Sequence, residues 1–203
     1  MTKFTLYYFD GRGRAEVIRL LFALSDKKFE DIRIAFDKWP EHKQNAPGGT
    51  LPYLEIDGKK YGQSSSLGRY LAREWGFYGK TSLDQLNIDE IVDDIADYRT
   101  GAVKVMFEKD DAKKAELLKT HTEKTIPEFV TKMEKKVSAN KSGFLAGSAC
   151  SLADLALFDI MDGMSMKYDN VFASGPKVKA HMEKIAALPK IKAYLAKRPK
   201  TDF

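Results

Sequence analysis

A pair of tyrosines beside an arginine-rich turn offers the clearest chemistry in this chain. Tyr7 and Tyr8 belong to an aromatic stretch that ends at Phe9 and is followed by Asp-Gly-Arg-Gly-Arg, whose last residue is Arg14. A tyrosine hydroxyl donates a hydrogen bond at neutral pH, and Arg14 carries a fixed positive charge. Together they can hold a small anion such as a thiolate and lower the pKa of its thiol. Nothing local favours Tyr8 over Tyr7, and both can be ordinary strand aromatics.

The magnitude of one such hydrogen bond is adequate for this task. Lowering a thiol pKa by about two units requires about 2.7 kcal/mol of differential stabilisation. One charge-assisted hydrogen bond supplies about 1.5–3 kcal/mol. One hydroxyl is therefore about sufficient to activate a thiol, and the field of Arg14 can add the remainder.

Two other segments can bind a ligand through their backbone. A cis bond between Leu51 and Pro52 would turn the N–H and C=O of Leu51 outward, to pair with an extended peptide. A trans proline that begins a strand is the commoner alternative. Gln63 and Ser64 open a predicted helix, whose free N–H groups and dipole attract carboxylates. An ordinary serine cap is the alternative there.

The remaining polar residues give weaker signals. Asp93 and Asp97 share one face of a predicted helix and can meet a cation or a ligand amine, although a solvated acidic face is the simpler interpretation. No aromatic stacking platform accompanies the lysines between residues 177 and 200, which favours a solvated surface over one for nucleic acid or membrane. Cys150 and the histidines show no metal-ligand spacing, so that no metal is expected.

Bulk properties narrow the class of protein. The 203 residues are 43% hydrophobic and carry a net charge of +5, enough for a real core and a preference for small anions. The single cysteine allows no internal disulfide and favours a reducing compartment. No apolar run suits a signal peptide or the roughly 20 residues of a membrane span. We therefore expect a cytoplasmic protein with no membrane or nucleic-acid partner.

Residues 1–79 are predicted to form an α/β domain. Alternation and breakers predict strands at residues 4–9, 31–36, 52–56 and 60–62, and helices at 14–24 and 65–75. Residues 39–49 are predicted to be irregular, and Asp57-Gly58 predicts a hairpin turn. The order β-α-β-β-β-α implies a parallel pair with an antiparallel hairpin, which is a thioredoxin-like mixed sheet.

Residues 80–203 are predicted to form an all-α domain. Ser82 to Gln85 has the spacing of a capping box, and Ser151 to Asp154 is a second one. Pro127 should start or kink a segment of the helical region 111–137. Two short helices, 177–187 and 190–197, follow. No convincing strand is predicted after residue 80.

Taken in order, these signals resemble a cytosolic glutathione transferase of the sigma class over essentially the whole chain. The matching features are the aromatic strand with Arg-Gly-Arg, then Trp39 with Lys43, Leu-Pro, Gln-Ser, and a helical half with a Ser-x-x-Asp box. The resemblance implies a homodimer that uses glutathione as co-substrate and requires no metal.

At the thiol, the resemblance selects Tyr8 rather than Tyr7 as the activating hydroxyl, with Arg14 beside it. It implies that Leu51 pairs with the cysteinyl backbone of glutathione, ahead of a cis Pro52. Cysteine-dependent members carry their cysteine near the end of the first strand, far from Cys150 in sequence. A cysteine-type oxidoreductase is therefore not expected.

At the two ends of glutathione, the resemblance implies anion-binding residues. Trp39 and Lys43 would hold the glycine end, and Gln63 and Ser64 the γ-glutamyl carboxylate. Asp97 of the neighbouring subunit would meet the amino group, so that a full site needs two chains. The loop before Leu-Pro carries no aromatic dimer key, which fits a polar, sigma-like interface.

The electrophile is expected between Tyr8, Arg14 and the start of the helical domain. Its expected contacts are Arg99, Val103, Lys104, Phe107 and Phe203. The family's prostaglandin D synthase has a tryptophan where Lys104 stands, which disfavours prostaglandin isomerisation. Lys104 and Arg99 would make the pocket cationic and suit a polar or anionic electrophile, whereas a hydrophobic one remains the family's general substrate.

Three functions remain open on these grounds. The first is a detoxifying transferase that consumes glutathione, and the second is a prostaglandin D synthase-type isomerase that only uses it as cofactor. The third is a non-catalytic S-crystallin or ligandin-like carrier. Only seven methionines and the retained Tyr8, Arg14, Gln63 and Ser64 argue against a crystallin.

Overall fold

A four-stranded mixed sheet forms the centre of the first structural unit. The computed structural model describes residues 2–201. The strands are β1 (Phe4–Phe9), β2 (Glu30–Ile34), β3 (Tyr53–Ile56) and β4 (Lys59–Tyr61), in the order β2-β1-β3-β4. β1 is parallel to β2 and antiparallel to β3, and β3 pairs antiparallel with β4. The predicted thioredoxin-like sheet is confirmed.

Alternate side chains of β1 face different layers. Phe4 packs edge-on against Phe22 and Trp75, with ring centroids 5.4 and 5.8 Å apart. These two partners belong to or directly follow the helices α1 (Glu16–Ser25) and α3 (Ser64–Glu74). Leu6 lies on the same face and is fully buried. Burial of these apolar groups, at about 25 cal/mol per Å², holds both helices on one side of the sheet.

The predicted irregular segment 39–49 is partly helical, which corrects that expectation. It contains α2 (Trp39–His42), flanked by 3-10 turns at Phe36–Lys38, Lys43–Asn45 and Pro47–Gly49. Pro40 lies in the first turn of α2, where its missing N–H has no intrahelical partner to lose. The turn at Phe36–Lys38 also ends β2 at Ile34, two residues before the predicted end.

Helices alone make up the second unit, which covers residues 78–187. They are α4 (Ser82–Met106), α5 (Asp111–Thr120), α6 (Ile126–Ala139), α7 (Leu152–Ser165) and α8 (Pro176–Ala186). Ten residues of α7 are buried, so that this helix forms the centre of the unit. The predicted all-α character is confirmed. A π-helical turn at His121–Thr125 precedes α6, where Pro127 was predicted to start or kink a segment.

The two capping boxes were predicted with different accuracy. At α7, the Ser151 N–H donates to Asp154 Oδ2 over 2.8 Å, which confirms the box. At α4 the cap is Thr81, one residue earlier than predicted. The Asp84 N–H donates to Thr81 Oγ1, and the Thr81 N–H donates to Asp84 Oδ2, each over 3.1 Å. Thr81 has the extended backbone that a cap needs, and it stands three residues before the acidic partner.

The end of the chain differs from the predicted division at residues 79 and 80. The first unit comprises residues up to Phe77 together with those from Leu188 on. The last helix, α9 (Pro189–Lys197), packs on α1 and buries Ile191 completely. The predicted helical domain 80–203 therefore includes a helix that packs with the sheet-bearing unit. In the described part of the chain, no helix is both long and apolar enough to cross a membrane.

Candidate functional site

The phenol of Tyr8 is held by a main-chain donor. The backbone N–H of Arg14 donates to Tyr8 Oη over 3.0 Å, and the tyrosine is 8% exposed. The turn that provides this N–H runs from β1 into α1, through a 3-10 turn at Gly13–Ala15. Because the oxygen accepts here, its own proton remains available to donate to a ligand.

Gly13 is required by this arrangement, which the sequence interpretation missed. Its φ is +42°, a region that residues with a side chain rarely adopt. A Cβ at this position would also lie 2.8 Å from Cε1 of Tyr8. Only glycine therefore lets the turn pass so close to the ring. The Arg-Gly-Arg pattern was the available signal, although it does not reveal which ring the glycine faces.

Tyr7 has a different environment from Tyr8. Its ring stacks on Tyr53 with centroids 4.4 Å apart. Burial, followed by the nearby carboxylates of Glu55 and Glu30, raises the pKa of Tyr7 above its ordinary value. Because successive residues of a strand point to opposite faces, only Tyr8 reaches the turn at Arg14.

Strand pairing brings four segments, from three connections, to one edge of the sheet. Phe9, at the end of β1, lies opposite Ile34, at the end of β2. Tyr53, the first residue of β3, lies opposite Tyr7, and β4 returns to end at Tyr61. The turn after β1, the segment containing α2, the residues before β3 and the start of α3 therefore all lie at this edge. These are the connections that carry the predicted glutathione-binding residues of the first unit.

The Leu51–Pro52 bond is cis, as the resemblance implied. Leu51 is half-buried and lies outside the strand ladder, two residues before β3 begins. Pro52 is buried and lacks an N–H, so that it cannot extend the ladder. An extended ligand can therefore approach Leu51 without displacing a strand.

The start of α3 is not capped by a side chain. Gln63 occupies the cap position with φ +68° and ψ 95°, and its side chain makes no capping hydrogen bond. The ordinary serine cap, the alternative considered from the sequence, is therefore wrong. Ser64 is the first helical residue and is half-buried. A strained non-glycine residue beside free helical N–H groups is typical of ligand sites.

Trp39 and Lys43 lie one helical turn apart. The Lys43 N–H bonds to the Trp39 carbonyl, so that both side chains project from the same side of the segment. The indole packs edge-on against Phe9 with centroids 5.7 Å apart and is half-exposed. Lys43 is exposed, as is the side chain of Arg14. These cations add positive charge to the unit.

In the second unit, α4 carries the residues predicted for the electrophile and the partner's ligand. Arg99 forms a 2.5 Å ion pair with Asp159, which is almost completely buried. Its charge is thus compensated, which corrects the expectation that Arg99 makes a pocket cationic. Lys104 and Asp97 are exposed.

Two other predicted electrophile contacts differ in their accessibility. Val103 is half-buried, whereas Phe107 is 68% exposed. Phe203 lies outside the described residues.

The only cysteine is poorly suited to redox chemistry. Burial, reinforced by Asp154 and opposed by Lys184, raises the pKa of the Cys150 thiol well above its ordinary value. A protonated thiol is a weak nucleophile. The described residues contain no cluster of three or more histidine, cysteine or acidic side chains that could hold a metal.

Comparison with known families is consistent with these features. Residues 4–73 match the family model for the glutathione S-transferase N-terminal domain. Residues 96–198 match the model for the glutathione S-transferase C-terminal domain. Together the two models cover most of the chain.

Three individual proteins illustrate the range of relatives. S-crystallin SL11 of Nototodarus sloanii is 39% identical, with both chains covered completely. Monomeric Na-GST-3, a glutathione S-transferase from the hookworm Necator americanus, is 36% identical with a TM-score of 0.89, covering 99% of this chain and all of that one. Prostaglandin synthase D of Nilaparvata lugens is 34% identical with a TM-score of 0.92, covering 98% of this chain and 100% of that one. The chain belongs to the glutathione S-transferase family.

Proposed function

We propose that this protein conjugates reduced glutathione to electrophilic small molecules, with Tyr8 stabilising the attacking thiolate. The observation that carries the proposal is the 3.0 Å hydrogen bond from the Arg14 N–H to Tyr8 Oη. This bond orients the oxygen and leaves the hydroxyl proton for the sulfur. The thiolate then forms a carbon–sulfur bond while the electrophile's leaving group departs or its double bond accepts the electron pair.

Glutathione is proposed to lie along the sheet edge described above. It is a short extended peptide with anionic ends, so that Leu51 can pair with its cysteinyl backbone beside the cis Pro52. Ser64 and Gln63, at the start of α3, would take one carboxylate through hydroxyl, amide and helical N–H donors. These roles agree with the conformation of Gln63, whose φ of +68° directs the chain into α3.

The glycine carboxylate is proposed to bind Trp39 and Lys43. The indole N–H donates one hydrogen bond and the ammonium supplies a charge, and both project from one turn of helix. Replacing Lys43 with methionine should raise KM for glutathione several-fold with little change in kcat, because this contact is distant from the sulfur.

Electrophile preference is proposed to depend on Val103 and Lys104 of α4 and on Phe107, which directly follows this helix. Since Arg99 is neutralised by Asp159, Lys104 is the cation that would favour a polar or anionic electrophile. Exchanging Lys104 for methionine should shift preference toward neutral electrophiles. An unchanged substrate profile would contradict this role.

A sigma-class homodimer with a detoxifying role is proposed from the resemblance. Asp97 is exposed on α4 and would reach the γ-glutamyl amine of glutathione in the partner subunit. Light scattering should give twice the 22.9 kDa chain mass, and Asp97→Asn should raise KM for glutathione. The hookworm relative is monomeric, and a monomer of this chain that keeps full activity would contradict the shared site.

The direct test is glutathione conjugation to chlorodinitrobenzene by wild type, Tyr8→Phe and Tyr7→Phe. We expect Tyr8→Phe to lower kcat/KM at least tenfold while glutathione binding is retained. Tyr7→Phe is the matched control, because Tyr7 stacks on Tyr53 rather than facing the turn. Equal losses in both variants, or none, would contradict the role of Tyr8.

The 39% identity to an S-crystallin gives the carrier function specific support. The conjugation assay distinguishes a carrier from a transferase, because a carrier would bind glutathione or a hydrophobic ligand without turnover. An isomerase would turn over its substrate without consuming glutathione, which stoichiometric thiol determination detects.

A further inference from the structure

A buried arginine of α1 links the turn beside Tyr8 to the rest of the first unit. Arg19 is 1% exposed, and its Nη1 donates to the Gly11 carbonyl over 2.7 Å and to the Arg12 carbonyl over 3.5 Å. Its Nη2 is buried with no hydrogen-bond partner among the described residues. Such an incompletely satisfied buried charge calls for an explanation other than stability.

The buried carboxylate of Glu16 has hydrogen-bond and ion-pair partners other than Arg19. Arg19 Nη1 lies 3.4 Å from Glu16 Oε2. The other oxygen, Oε1, accepts from Tyr194 Oη and from Arg198 Nη1, each over 3.0 Å. Loss of the Arg19 charge therefore leaves this buried carboxylate with a cation and a hydroxyl donor from the chain end.

The same holds for the second carboxylate. Arg19 Nε donates to both oxygens of Asp31 over 3.1–3.2 Å, while Arg33 Nε donates to Asp31 Oδ2 over 3.0 Å. Each acidic partner of Arg19 thus keeps another arginine. The contacts of Arg19 that involve neither carboxylate are those to the backbone of the turn.

These backbone contacts fix the turn from its inner side. The Gly11 N–H bonds to the Phe9 carbonyl over 2.8 Å, and the Ala15 N–H bonds to the Arg12 carbonyl over 3.2 Å. Arg19 binds the two carbonyls within this same stretch, Gly11 and Arg12. Arg14, whose backbone N–H donates to Tyr8 Oη, lies between these two residues and Ala15.

We propose that Arg19 is a positioning residue for thiol activation. By holding the Gly11 and Arg12 carbonyls it sets the turn so that the Arg14 N–H meets Tyr8 Oη. It touches neither glutathione nor the electrophile in this role. The inference rests on the proposed activation of glutathione by Tyr8.

The test compares the pKa of the bound glutathione thiol in wild type, Arg19→Met, Arg19→Lys and Tyr194→Phe, from the ultraviolet absorbance of the thiolate. Arg19→Met should raise this pKa by about one unit, a tenfold loss in ionisation constant. Its kcat/KM should fall about tenfold at slightly acidic pH and less in alkali, where the thiol ionises unaided. Arg19→Lys, which keeps a donor but not the planar fork, should give an intermediate shift.

Tyr194→Phe is the matched control, since it removes a hydrogen bond to Glu16 but leaves the turn untouched. It should lower stability while the thiol pKa stays at the wild-type value. An unchanged thiol pKa in Arg19→Met, despite lower stability, would overturn the inference. Should Arg19→Met not fold, an unchanged pKa in Arg19→Lys would overturn it equally.

The failure of the proposed function gives a different result. If wild-type protein leaves the pKa of bound glutathione at the value of the free thiol, Tyr8 activates nothing and both proposals fall. If Tyr8→Phe raises the thiol pKa but Arg19→Met does not, the proposed function stands and only the role of Arg19 is wrong.

Discussion

The backbone N–H of Arg14 points at the phenolic oxygen of Tyr8, 3.0 Å away. A main-chain donor in a turn with a glycine at positive φ is fixed more firmly than a flexible side chain would be. The direction of the tyrosine proton is therefore set before a ligand arrives. This relationship depends on backbone shape, so that substitutions in the turn should affect activity through geometry.

Gly13→Ala should damage both stability and activity. The positive φ alone costs about 1–2 kcal/mol for a residue with a side chain, and the new Cβ would displace the Tyr8 ring. We expect kcat/KM for glutathione conjugation to fall at least tenfold. Gly147→Ala is the control, because Gly147 has φ +62° with open space around it. It should lose similar stability in denaturant titration and keep full activity; full activity in both variants would refute the close approach.

Gln63→Gly should separate stability from glutathione binding. A non-glycine residue at φ +68° costs about 1–3 kcal/mol, which glycine relieves at an entropic cost of about 0.5–1 kcal/mol. The free energy of unfolding should stay level or rise, whereas KM for glutathione should rise about tenfold because the amide is lost. Asn170→Gly, at φ +56° in the second unit, should leave KM unchanged. An unaltered KM in Gln63→Gly would remove this residue from the site.

Cys150 should be slow to react and dispensable. Burial raises the pKa of its thiol, so that the thiolate fraction near pH 8 is far below that of a free cysteine. Mass spectrometry should show alkylation by iodoacetamide at least tenfold slower than that of free cysteine, with turnover retained. Cys150→Ala should match wild-type activity, and loss of turnover in it would point to a function for the thiol.

His121 should make the protein less stable in mild acid. Burial lowers the pKa of this histidine below its ordinary value, so that the unfolded chain binds the proton first. The stabilisation that depends on a neutral His121 is fully present at pH values above the pKa of the unfolded chain's histidine, about 6.5. It is lost as the pH falls from there toward the pKa of the folded protein. His121→Gln should flatten the fall in unfolding free energy between about pH 7.5 and 5.5, as measured by denaturant titration at each pH. An identical pH dependence for wild type and His121→Gln would contradict this assignment.

Local signals predicted much of the fold. The aromatic run gave β1 its observed bounds, and Asp57-Gly58 forms the predicted turn with φ of +48° and +85°. The Ser151–Asp154 box also starts its helix as predicted. Each of these features is determined by a few consecutive residues, which is why a single sequence suffices to find it.

Features that depend on distant partners could not be predicted in this way. The compensation of Arg99 by Asp159 joins residues 60 positions apart, and the bond from Tyr194 to Glu16 joins residues 178 apart. The placement of α9 against α1 follows from the latter contact and from the burial of Ile191. Such tertiary contacts override local propensity, and no spacing rule along the chain reveals them.

For the candidate site, residue types were easier to predict than conformations. The sequence indicated Gln63 and Ser64 as the opening of a helix, but not the positive φ of Gln63. The local pattern likewise left Tyr7 and Tyr8 as alternatives, and only the family resemblance selected Tyr8, whose oxygen accepts from the Arg14 N–H in the structure. The backbone supplies the geometry of this site, and that geometry is set by the whole sheet edge.

The most direct test of the account is the pKa of the glutathione thiol bound to wild type and to Tyr8→Phe, measured from thiolate absorbance across pH. A free thiol has a pKa of about 8.5, and wild type should lower it by about two units. Tyr8→Phe should return it close to the free value while glutathione remains bound. The same lowered pKa in both proteins would show that Tyr8 does not stabilise the thiolate, and would contradict the central claim.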